Sequence, residues 1–368
     1  MPVALADSTS AAPERKRPRK NSERQKKSDR DSRGLAKKCE RLLGERVASM
    51  QYPGGRSRRS FRLLLQNSDS VIVSIRPARV RAKTERRILR ELSAKGAPVP
   101  SLLANDGHNL LIQEEIAGER LAQAMHHQDE ARVECVLDSA LANLSHVHRT
   151  GSESGFDTRL NVLGGSFEWL VGFLDRPAVI GNILGVPAPR PKLAQLETLL
   201  AVRTPRFIKW DARPGNAIVR ADGKVFWFDW EHCGARNRLD DMAWLLADEF
   251  VPDFPEAEER LIEKHVASFA DDLSIEEARQ YLSAYGVFHL SVRLGLICKY
   301  KVQGDWWNHD YCVDGDKVGV TWECMQRVCR RGERWANRNP YTEPLSGWFA
   351  AIREHFDAEM LEESVHVR

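Results

Sequence analysis

Short apolar runs separated by turn-forming residues predict strands in the first third of the chain. The runs Phe61–Leu65 and Val71–Ile75 flank the letters QNSDS, a turn cluster, and so predict two adjacent strands. Residues 80–95 carry apolar positions at helical spacing and end at Gly96, which predicts an amphipathic helix. Two further strands are predicted within APVPSLLAND, after a loop, and within NLLIQEEIAGE. Together these elements predict a small sheet with one helix, in the order strand, strand, helix, strand, strand.

Helical spacing dominates most of the remaining chain. It predicts a helix near residues 35–49, a long helical stretch over 119–149 and a mainly helical region beyond residue 240. Residues 160–205 are mixed in pattern, with a proline-rich break at 187–191. The chain therefore divides into a sheet-rich first part and a helical second part.

One hairpin interrupts the helical part. Ala217–Val219 predicts a short strand, the letters ADGK a turn with Asp-Gly at its centre, and Val225–Phe228 the returning strand. A hairpin of this length brings Asn216 and Asp229 close together at its open end. Asp211 lies just upstream, in a loop stiffened by a Pro-Gly pair, so we expect three oxygen-bearing side chains to converge.

The convergence of Asp211, Asn216 and Asp229 suits phosphoryl-transfer chemistry. Mg²⁺ prefers one or two carboxylate or amide oxygens and leaves room for phosphate oxygens and water. Asn216 and Asp229 fit that need, which leaves Asp211 free to orient or deprotonate a hydroxyl. The open alternative is that Asp211 only caps its loop and Asp229 is an ordinary turn carboxylate.

Length and charge add a basic N-terminal tail to this picture. The 368 residues, 42% of them hydrophobic, suffice for two lobes or two domains. Residues 1–38 hold 12 Lys/Arg and 5 Asp/Glu, whereas the rest of the chain has a net charge of −4. The tail is poor in large apolar residues, which predicts disorder. Its charge permits contact with nucleic acid or an acidic partner, but no aromatic residue is interleaved, so a solvated extension is favoured.

Cysteine usage and hydropathy predict a cytoplasmic protein. The seven cysteines are odd in number and scattered without a CxxC pair, which argues against disulfides or zinc. No apolar run reaches the ~18 residues of a membrane span, so no membrane association is expected. The N-terminus also lacks the apolar segment of a secretory signal.

Several segments, in order, resemble the aminoglycoside phosphotransferase family, which has a protein-kinase-like fold and also holds choline and homoserine kinases. KWDARPGN resembles the family's catalytic loop, His-Gly-Asp-x-x-x-Gly-Asn, and Asp229-Trp230-Glu231 its metal-binding segment. PGGRSRRSFRL resembles the glycine loop over the nucleotide, and LLIQEEIAGERL the hinge between the lobes. ERRILRELSAKGAPVPSLL and LANLSHVHRTG resemble two of its helices, so the match runs from about residue 48 to 250.

The resemblance implies an α+β, two-lobed fold and a kinase activity. Residues 39–116 would form the N-lobe, a mostly antiparallel sheet with one helix, and residues 117–368 a mainly helical C-lobe with the catalytic hairpin. The implied cofactors are ATP and Mg²⁺, bound between the lobes. The implied reaction moves the γ-phosphoryl group to a hydroxyl of a small molecule such as an aminoglycoside, an amino alcohol or a sugar.

The resemblance also implies a role for individual residues. Asp211 would orient or deprotonate the substrate hydroxyl, and Asn216 and Asp229 would hold Mg²⁺. Glu85 would pair with the cation of the third strand, which grips the α- and β-phosphates. Gly54, Gly55 and Ser57 would lie over the phosphates, and the backbone around Glu114 and Ile116 would meet adenine.

Two departures from the family pattern keep an alternative function open. The strand VIVSIRP has no Lys, and of Ser74 and Arg76, which point to the same face, only Arg76 can grip phosphate. Lys209 stands where the family usually has His, and would pair with Asp211 or reach the transferring phosphate. Glu85, on a charged helix, is alternatively a solvated carboxylate. These departures motivate a second hypothesis, a nucleotide-binding pseudokinase that acts through a partner and the basic tail.

One C-terminal segment is a candidate acceptor site. It contains Trp306 and Trp307 together with Asp305 and Asp310, and aromatic rings with carboxylates suit a cationic or polyhydroxylated ligand. An irregular loop whose aromatic side chains pack against the C-lobe is the equally favoured alternative.

Overall fold

The computed structural model describes residues 32–53, 59–301 and 304–366, and the side chains of all but 359–366 among these. A first helix, α1, spans 32–43. The N-lobe continues with β1 Val47–Gln51, β2 Ser60–Leu65, β3 Ser70–Ile75, α2 Arg79–Ala94, β4 Leu102–Asn105 and β5 Leu110–Glu114. The central part contains β6 Glu119–Arg120, α3 Leu121–Ala124, α4 Glu130–Glu153, α5 Phe156–Arg159, α6 Phe167–Leu174, α7 Arg176–Leu184, α8 Leu193–Leu199, β7 Arg206–Ile208, β8 Ala217–Val219, β9 Val225–Trp227 and β10 Gly234–Arg236. The last helices are α9 Leu239–Leu246, α10 Pro255–Phe269, α11 Ile275–Lys301, α12 His309–Asp314, α13 Trp322–Ala336 and α14 Pro344–His366.

The N-lobe is built on a five-stranded antiparallel sheet with the strand order β1-β2-β3-β5-β4. β2 and β3 pair in the predicted hairpin, with Leu63 opposite Val71. Alternate side chains of β2 are buried, and these are Phe61, Leu63 and Leu65. They pack with Cys39 of α1, which shows that the period of two in the sequence marks one face of the sheet.

The start of the N-lobe differs from the prediction in two ways. The predicted helix over 35–49 is wrong in its second half, because α1 ends at 43 and Val47–Gln51 forms an edge strand. Pairing of this strand with β2 outweighs the weak helical pattern. Residues 32–38 of the predicted disordered tail are helical, and Lys38 forms an ion pair with Asp106 at 2.6 Å.

Helix α2 carries its buried residues in one stripe, and Glu85 lies within that stripe. The stripe consists of Ala82, Glu85, Ile88, Leu89 and Leu92. Glu85 has no exposed surface, so the interpretation of this residue as a solvated carboxylate is wrong. A carboxylate in a buried apolar stripe needs a cationic partner, which directs attention to the strand beside it.

The C-lobe is mainly helical, as predicted, and is organised around helix α11. This helix is long and apolar enough to span a membrane by length and composition, but 83% of its most apolar window is buried inside the fold. It packs against α9 and α13, and α13 packs in turn against α14. A core helix is therefore the simplest account of its composition.

Candidate active site

The predicted hairpin forms and brings Asn216 and Asp229 to its open end. Ala217 pairs with Trp227, and Phe228 N donates to Asn216 O at 3.1 Å, which sets the last rung before Asp229. The returning strand ends at Trp227, one residue earlier than predicted. Asn216 Nδ2 donates to Asp211 Oδ2 at 2.8 Å and to Asp211 O at 3.1 Å. One amide side chain thus joins the catalytic-loop carboxylate to the end of the hairpin.

The backbone around these carboxylates adopts uncommon conformations. Trp210, Asp211 and Asp229 have positive φ angles of 51°, 115° and 62°. Each such non-glycine conformation costs on the order of 1–3 kcal/mol and persists only where the surroundings hold it. Strain at three positions in one small region is typical of a functional site.

Asp241 is the residue that holds the strained loop. Its carboxylate accepts hydrogen bonds from Lys209 N at 2.6 Å and Trp210 N at 2.8 Å, and lies 2.8 Å from His148 Nε2. Asp241 and His148 are both fully buried. Burial lowers the pKa of His148, against the opposing effect of Asp241, so we assign a neutral ring that donates from Nε2. Asp241 lies in the first turn of α9, and its link to the loop is visible only in the structure.

Lys209 braces the other side of the site. Its ammonium donates to Asp229 O at 2.7 Å and lies 5.1 Å from the centre of the Trp230 ring. The Lys209 side chain is fully buried, and its ammonium group stabilises the turn at Asp229. The expected direct pairing with the Asp211 carboxylate is absent from the described contacts, and Lys209 acts on Asp211 only through its field.

Arg76 is the centre of a buried ion cluster. Its guanidinium donates to Glu85 Oε2 at 2.5 Å and Glu85 Oε1 at 2.6 Å, and to Glu231 Oε1 at 3.1 Å. Its Nη2 also lies 2.8 Å from Asp229 Oδ1. The predicted pairing of Glu85 with a cation on the third strand is therefore present, and Arg76, which directly follows β3, supplies the cation. One arginine connects the N-lobe helix to the Asp229-Trp230-Glu231 segment.

The two carboxylates of the site are driven to opposite sides of their ordinary pKa. Burial raises the pKa of Asp211, and Asp229 adds to the shift, although Lys209 and Arg213 oppose it. Burial alone would also raise the pKa of Asp229, but Arg76 and Lys209 outweigh it and hold that pKa below its ordinary value. Divergent pKa values in neighbouring carboxylates favour a division between proton acceptor and charge holder.

The site has oxygen atoms suited to a divalent cation. Asp229 Oδ1 is buried and forms an ion pair with Arg76 Nη2 at 2.8 Å. The Asp229 side chain is nevertheless 31% exposed. Asn216 uses its Nδ2 on Asp211, which leaves its Oδ1 available. The partly exposed Asp229 carboxylate and the Asn216 amide oxygen fit the preference of Mg²⁺ for a small number of hard protein ligands.

Asp316 is a residue that sequence analysis did not connect with the site. It accepts from Arg213 Nη2 at 2.5 Å and lies 3.1 Å from Arg120 Nη1. Arg213 is two residues after Asp211, so Asp316 is tied to the loop that carries Asp211. No local signal could have found this contact, because 103 residues separate its two partners.

The predicted nucleotide-binding residues have mixed outcomes. Gly54, Gly55 and Ser57 lie outside the described residues. Glu114 ends β5, and its side chain accepts from Ser101 N at 3.1 Å. Ile116 follows in the connection between the lobes, and within the described residues its backbone amide has no backbone partner. An amide without a described backbone partner is compatible with the predicted contact to adenine, which stays a prediction.

Among the described residues, the predicted acceptor residues make no hydrogen bond, ion pair or ring contact with Asp211, Asn216 or Asp229. Trp306 packs edge-on against Phe356, and Trp307 packs near Tyr300. Asp305 is exposed. Asp310 lies 2.8 Å from His126 Nε2, at the start of α12. Both tryptophans pack against the main core, as in the loop alternative, and a role in acceptor binding stays a prediction.

Comparison with known proteins finds a matching family model and similar folds. A family model described as the phosphotransferase enzyme family matches residues 50–290. The chain is similar to the structure of a choline kinase from Streptococcus pneumoniae, at 16% identity and a TM-score of 0.52, over 83% of this chain and 99% of that one. It is also similar to an amicoumacin kinase in complex with AMP-PNP and Ca²⁺, at 13% identity and a TM-score of 0.56, over 86% and 98% of the two chains. At such low identities the structural similarity shows the fold alone, and together with the family match it confirms the predicted two-lobed protein-kinase-like architecture. No protein with a curated description matches the chain.

Proposed function

We propose, from the premise that this chain belongs to the phosphotransferase enzyme family, that it transfers the γ-phosphoryl group of ATP to a hydroxyl of a small molecule. The observation that carries the proposal is the pair of neighbouring carboxylates Asp211 and Asp229, whose pKa values are shifted in opposite directions, with Asn216 hydrogen-bonded to Asp211. Similarity to kinases named for choline and amicoumacin supports a small-molecule acceptor. Aminoglycosides, amino alcohols and sugars are the acceptor classes we propose to test.

In the proposed mechanism Asp211 orients the acceptor hydroxyl and accepts its proton. Its raised pKa makes it a stronger base than an ordinary aspartate. The hydrogen bond from Asn216 fixes which carboxylate oxygen faces the acceptor. Asp241 and Asp316 hold the loop on its two sides, so that the carboxylate is positioned before substrate arrives.

Asn216 and Asp229 are the residues that would hold Mg²⁺. Mg²⁺ supplies neutralisation of charge on the phosphate oxygens when it is bound. Lys209 and Arg76 keep Asp229 ionised, because their positive charges lower its pKa. Asp229 can therefore serve as a metal ligand over a wider range of pH than an unassisted aspartate.

A nucleotide-binding pseudokinase is the second candidate, and Arg76 is the observation that favours it. Its guanidinium is shared among Glu85, Asp229 and Glu231, whereas a phosphate-gripping cation needs donors directed at the nucleotide. Under this alternative the cluster would lock the lobes together and the protein would signal its nucleotide state to a partner. Residues 1–31, the greater part of the basic tail, lie outside the described residues.

The release of ADP separates the two candidates. Wild type is incubated with Mg-ATP and a panel of aminoglycosides, amino alcohols and sugars, beside Asp211→Asn and the exposed control Asp222→Asn. We expect acceptor-dependent ADP release that falls by about 10²–10⁴-fold in Asp211→Asn and is unchanged in the control. Equal rates in wild type and Asp211→Asn would reject the proposed mechanism. Tight nucleotide binding without turnover on any acceptor would favour the pseudokinase.

A further inference from the structure

Three side chains outside the catalytic site place their metal-binding atoms together. His126 Nε2 lies 2.8 Å from Asp310 Oδ1, and His127 Nε2 lies 3.5 Å from the same oxygen. All three donor atoms lie within 4.8 Å of one another. His126 and His127 belong to the turn that follows α3, whereas Asp310 belongs to the first turn of α12. Elements 184 residues apart in sequence thus meet at one point.

We propose that His126, His127 and Asp310 form a zinc site that joins the turn after α3 to α12. Bonds of about 2.0–2.1 Å at the tetrahedral angle place neighbouring donor atoms about 3.3 Å apart, and the two observed separations bracket that value. Two imidazoles and one carboxylate are a ligand set that Zn²⁺ uses, with a fourth position left to water. The cysteine spacing gave no sign of this site because its ligands are histidines and an aspartate.

The surroundings of the cluster allow a metal to enter and leave. Asp310 and His127 have 63% and 77% of their side chains exposed, while His126 is mostly buried and provides a fixed anchor. His127 has a positive φ of 54°, a conformation that non-glycine residues rarely adopt. With this backbone conformation the His127 imidazole lies beside the Asp310 carboxylate that His126 also contacts, so the turn brings both rings to one carboxylate.

The neighbouring side chains define the limits of the site. The His309 ring lies 5.1 Å from that of His126, but its Nδ1 is engaged by Thr321 Oγ1 at 3.1 Å. Beside the cluster, Gln123 Nε2 of α3 donates to Asp314 Oδ1 of α12 at 3.2 Å. A metal would therefore strengthen an existing contact and would require no rearrangement of α12.

The position of α12 links the proposed zinc site to the catalytic loop. Asp316 follows two residues after the end of α12 and accepts from Arg213 of the catalytic loop. α3 also lies beside the turn at Pro214–Asn216. A zinc ion that fixes α12 to the turn after α3 would hold Asp316 and α3 in place beside the catalytic loop.

Zinc binding to the full chain, free of any histidine tag and stripped of metal, tests the proposal. A Cys135→Ser background removes the one exposed cysteine among the seven, all of which lie in the described part of the chain. The test variants are Asp310→Asn and His127→Asn, because asparagine tolerates the left-handed backbone. The matched control is His355→Asn, an exposed histidine on α14. Equilibrium dialysis gives stoichiometry and affinity, and the visible absorption of Co²⁺ reports the coordination geometry.

We expect one zinc ion per chain in the parent and in His355→Asn, and an affinity at least about tenfold weaker in both test variants. Co²⁺ should give a tetrahedral spectrum without a thiolate band, and this spectrum should disappear in Asp310→Asn. Matching thermal unfolding of the metal-free proteins would show that each variant is folded. The proposal is overturned if the parent binds no zinc, or if either test variant binds zinc as tightly as the parent.

Discussion

Replacement of Arg76 by methionine should destabilise this protein more than any exposed charge substitution. Glu85 has no exposed surface and receives two hydrogen bonds from Arg76, at 2.5 and 2.6 Å. Once the guanidinium is removed, its one remaining hydrogen bond among the described residues comes from Trp230 N at 3.3 Å. Removal of one partner of a buried ion pair costs about 3–5 kcal/mol, because the other charge is left uncompensated. We therefore expect Arg76→Met to lower the free energy of unfolding by that amount.

Substitution of the other partner, Glu85, should lower the free energy of unfolding by less than Arg76→Met does. The difference between the two variants is the specific test of the cluster. In Glu85→Gln, Arg76 keeps Asp229 and Glu231 as partners, so the expected loss is about 1–2 kcal/mol. Arg76→Met combined with Glu85→Leu removes both charges and should be more stable than Arg76→Met alone. The control is Arg81→Met, whose side chain is 46% exposed and 3.5 Å from Glu231, with an expected change below about 1 kcal/mol.

Urea unfolding followed by tryptophan fluorescence and by circular dichroism provides the assay. Coincident transitions and an unchanged m-value would justify a two-state free energy for each variant. The account of the cluster is refuted if Arg76→Met loses no more stability than Arg81→Met. It is also refuted if the double variant is less stable than Arg76→Met, since the charge left on Glu85 would then not be the cause.

Three further predictions concern the catalytic loop. Asp241→Ala leaves two backbone amides and His148 without their acceptor, so it should cost about 3 kcal/mol or more in urea unfolding; a loss below 1 kcal/mol would contradict its anchoring role. kcat/KM should fall at low pH with an apparent pKa above 3.8, the ordinary pKa of aspartate, because the ionised form of Asp211 is active and burial raises its pKa. An apparent pKa at or below 3.8 would argue against Asp211 as the base. A Cβ at position 215 would collide with the Asp316 carboxylate, so Gly215→Ala should reduce kcat while circular dichroism stays unchanged, and full activity would show that the loop tolerates movement.

The sequence predicted those parts of the site that depend on near neighbours. The hairpin, and with it the approach of Asn216 to Asp229, follows from a turn signal between two short apolar runs. The burial of Glu85 could also be predicted, since the residue lies within the apolar stripe of α2, but only the structure shows how fully it is buried. Strand β1 was missed because its pairing with β2 is a tertiary effect that a local pattern does not contain.

The supports of the catalytic loop could not be predicted in the same way. Asp241 is 32 residues from its partner Lys209, and Asp316 is 103 residues from its partner Arg213. Contacts between residues so far apart produce no periodic pattern in the sequence. The roles of the two departures from the family pattern, Lys209 and Arg76, also became clear only from the structure. Lys209 serves the backbone of Asp229, and Arg76 reaches three carboxylates at once, which a lysine with a single ammonium could not do with this geometry.

Calorimetric titration of ATP, with and without Mg²⁺, into wild type and Asp229→Ala tests most directly whether Asp229 holds the metal. We expect Mg²⁺ to strengthen ATP binding to wild type and this gain to disappear in the variant, because Asp229 is one of the two proposed metal ligands. Exposed Asp222→Ala, in the turn of the same hairpin, should behave as wild type. An Asp229→Ala protein that binds Mg-ATP with wild-type affinity would contradict the assignment of the site.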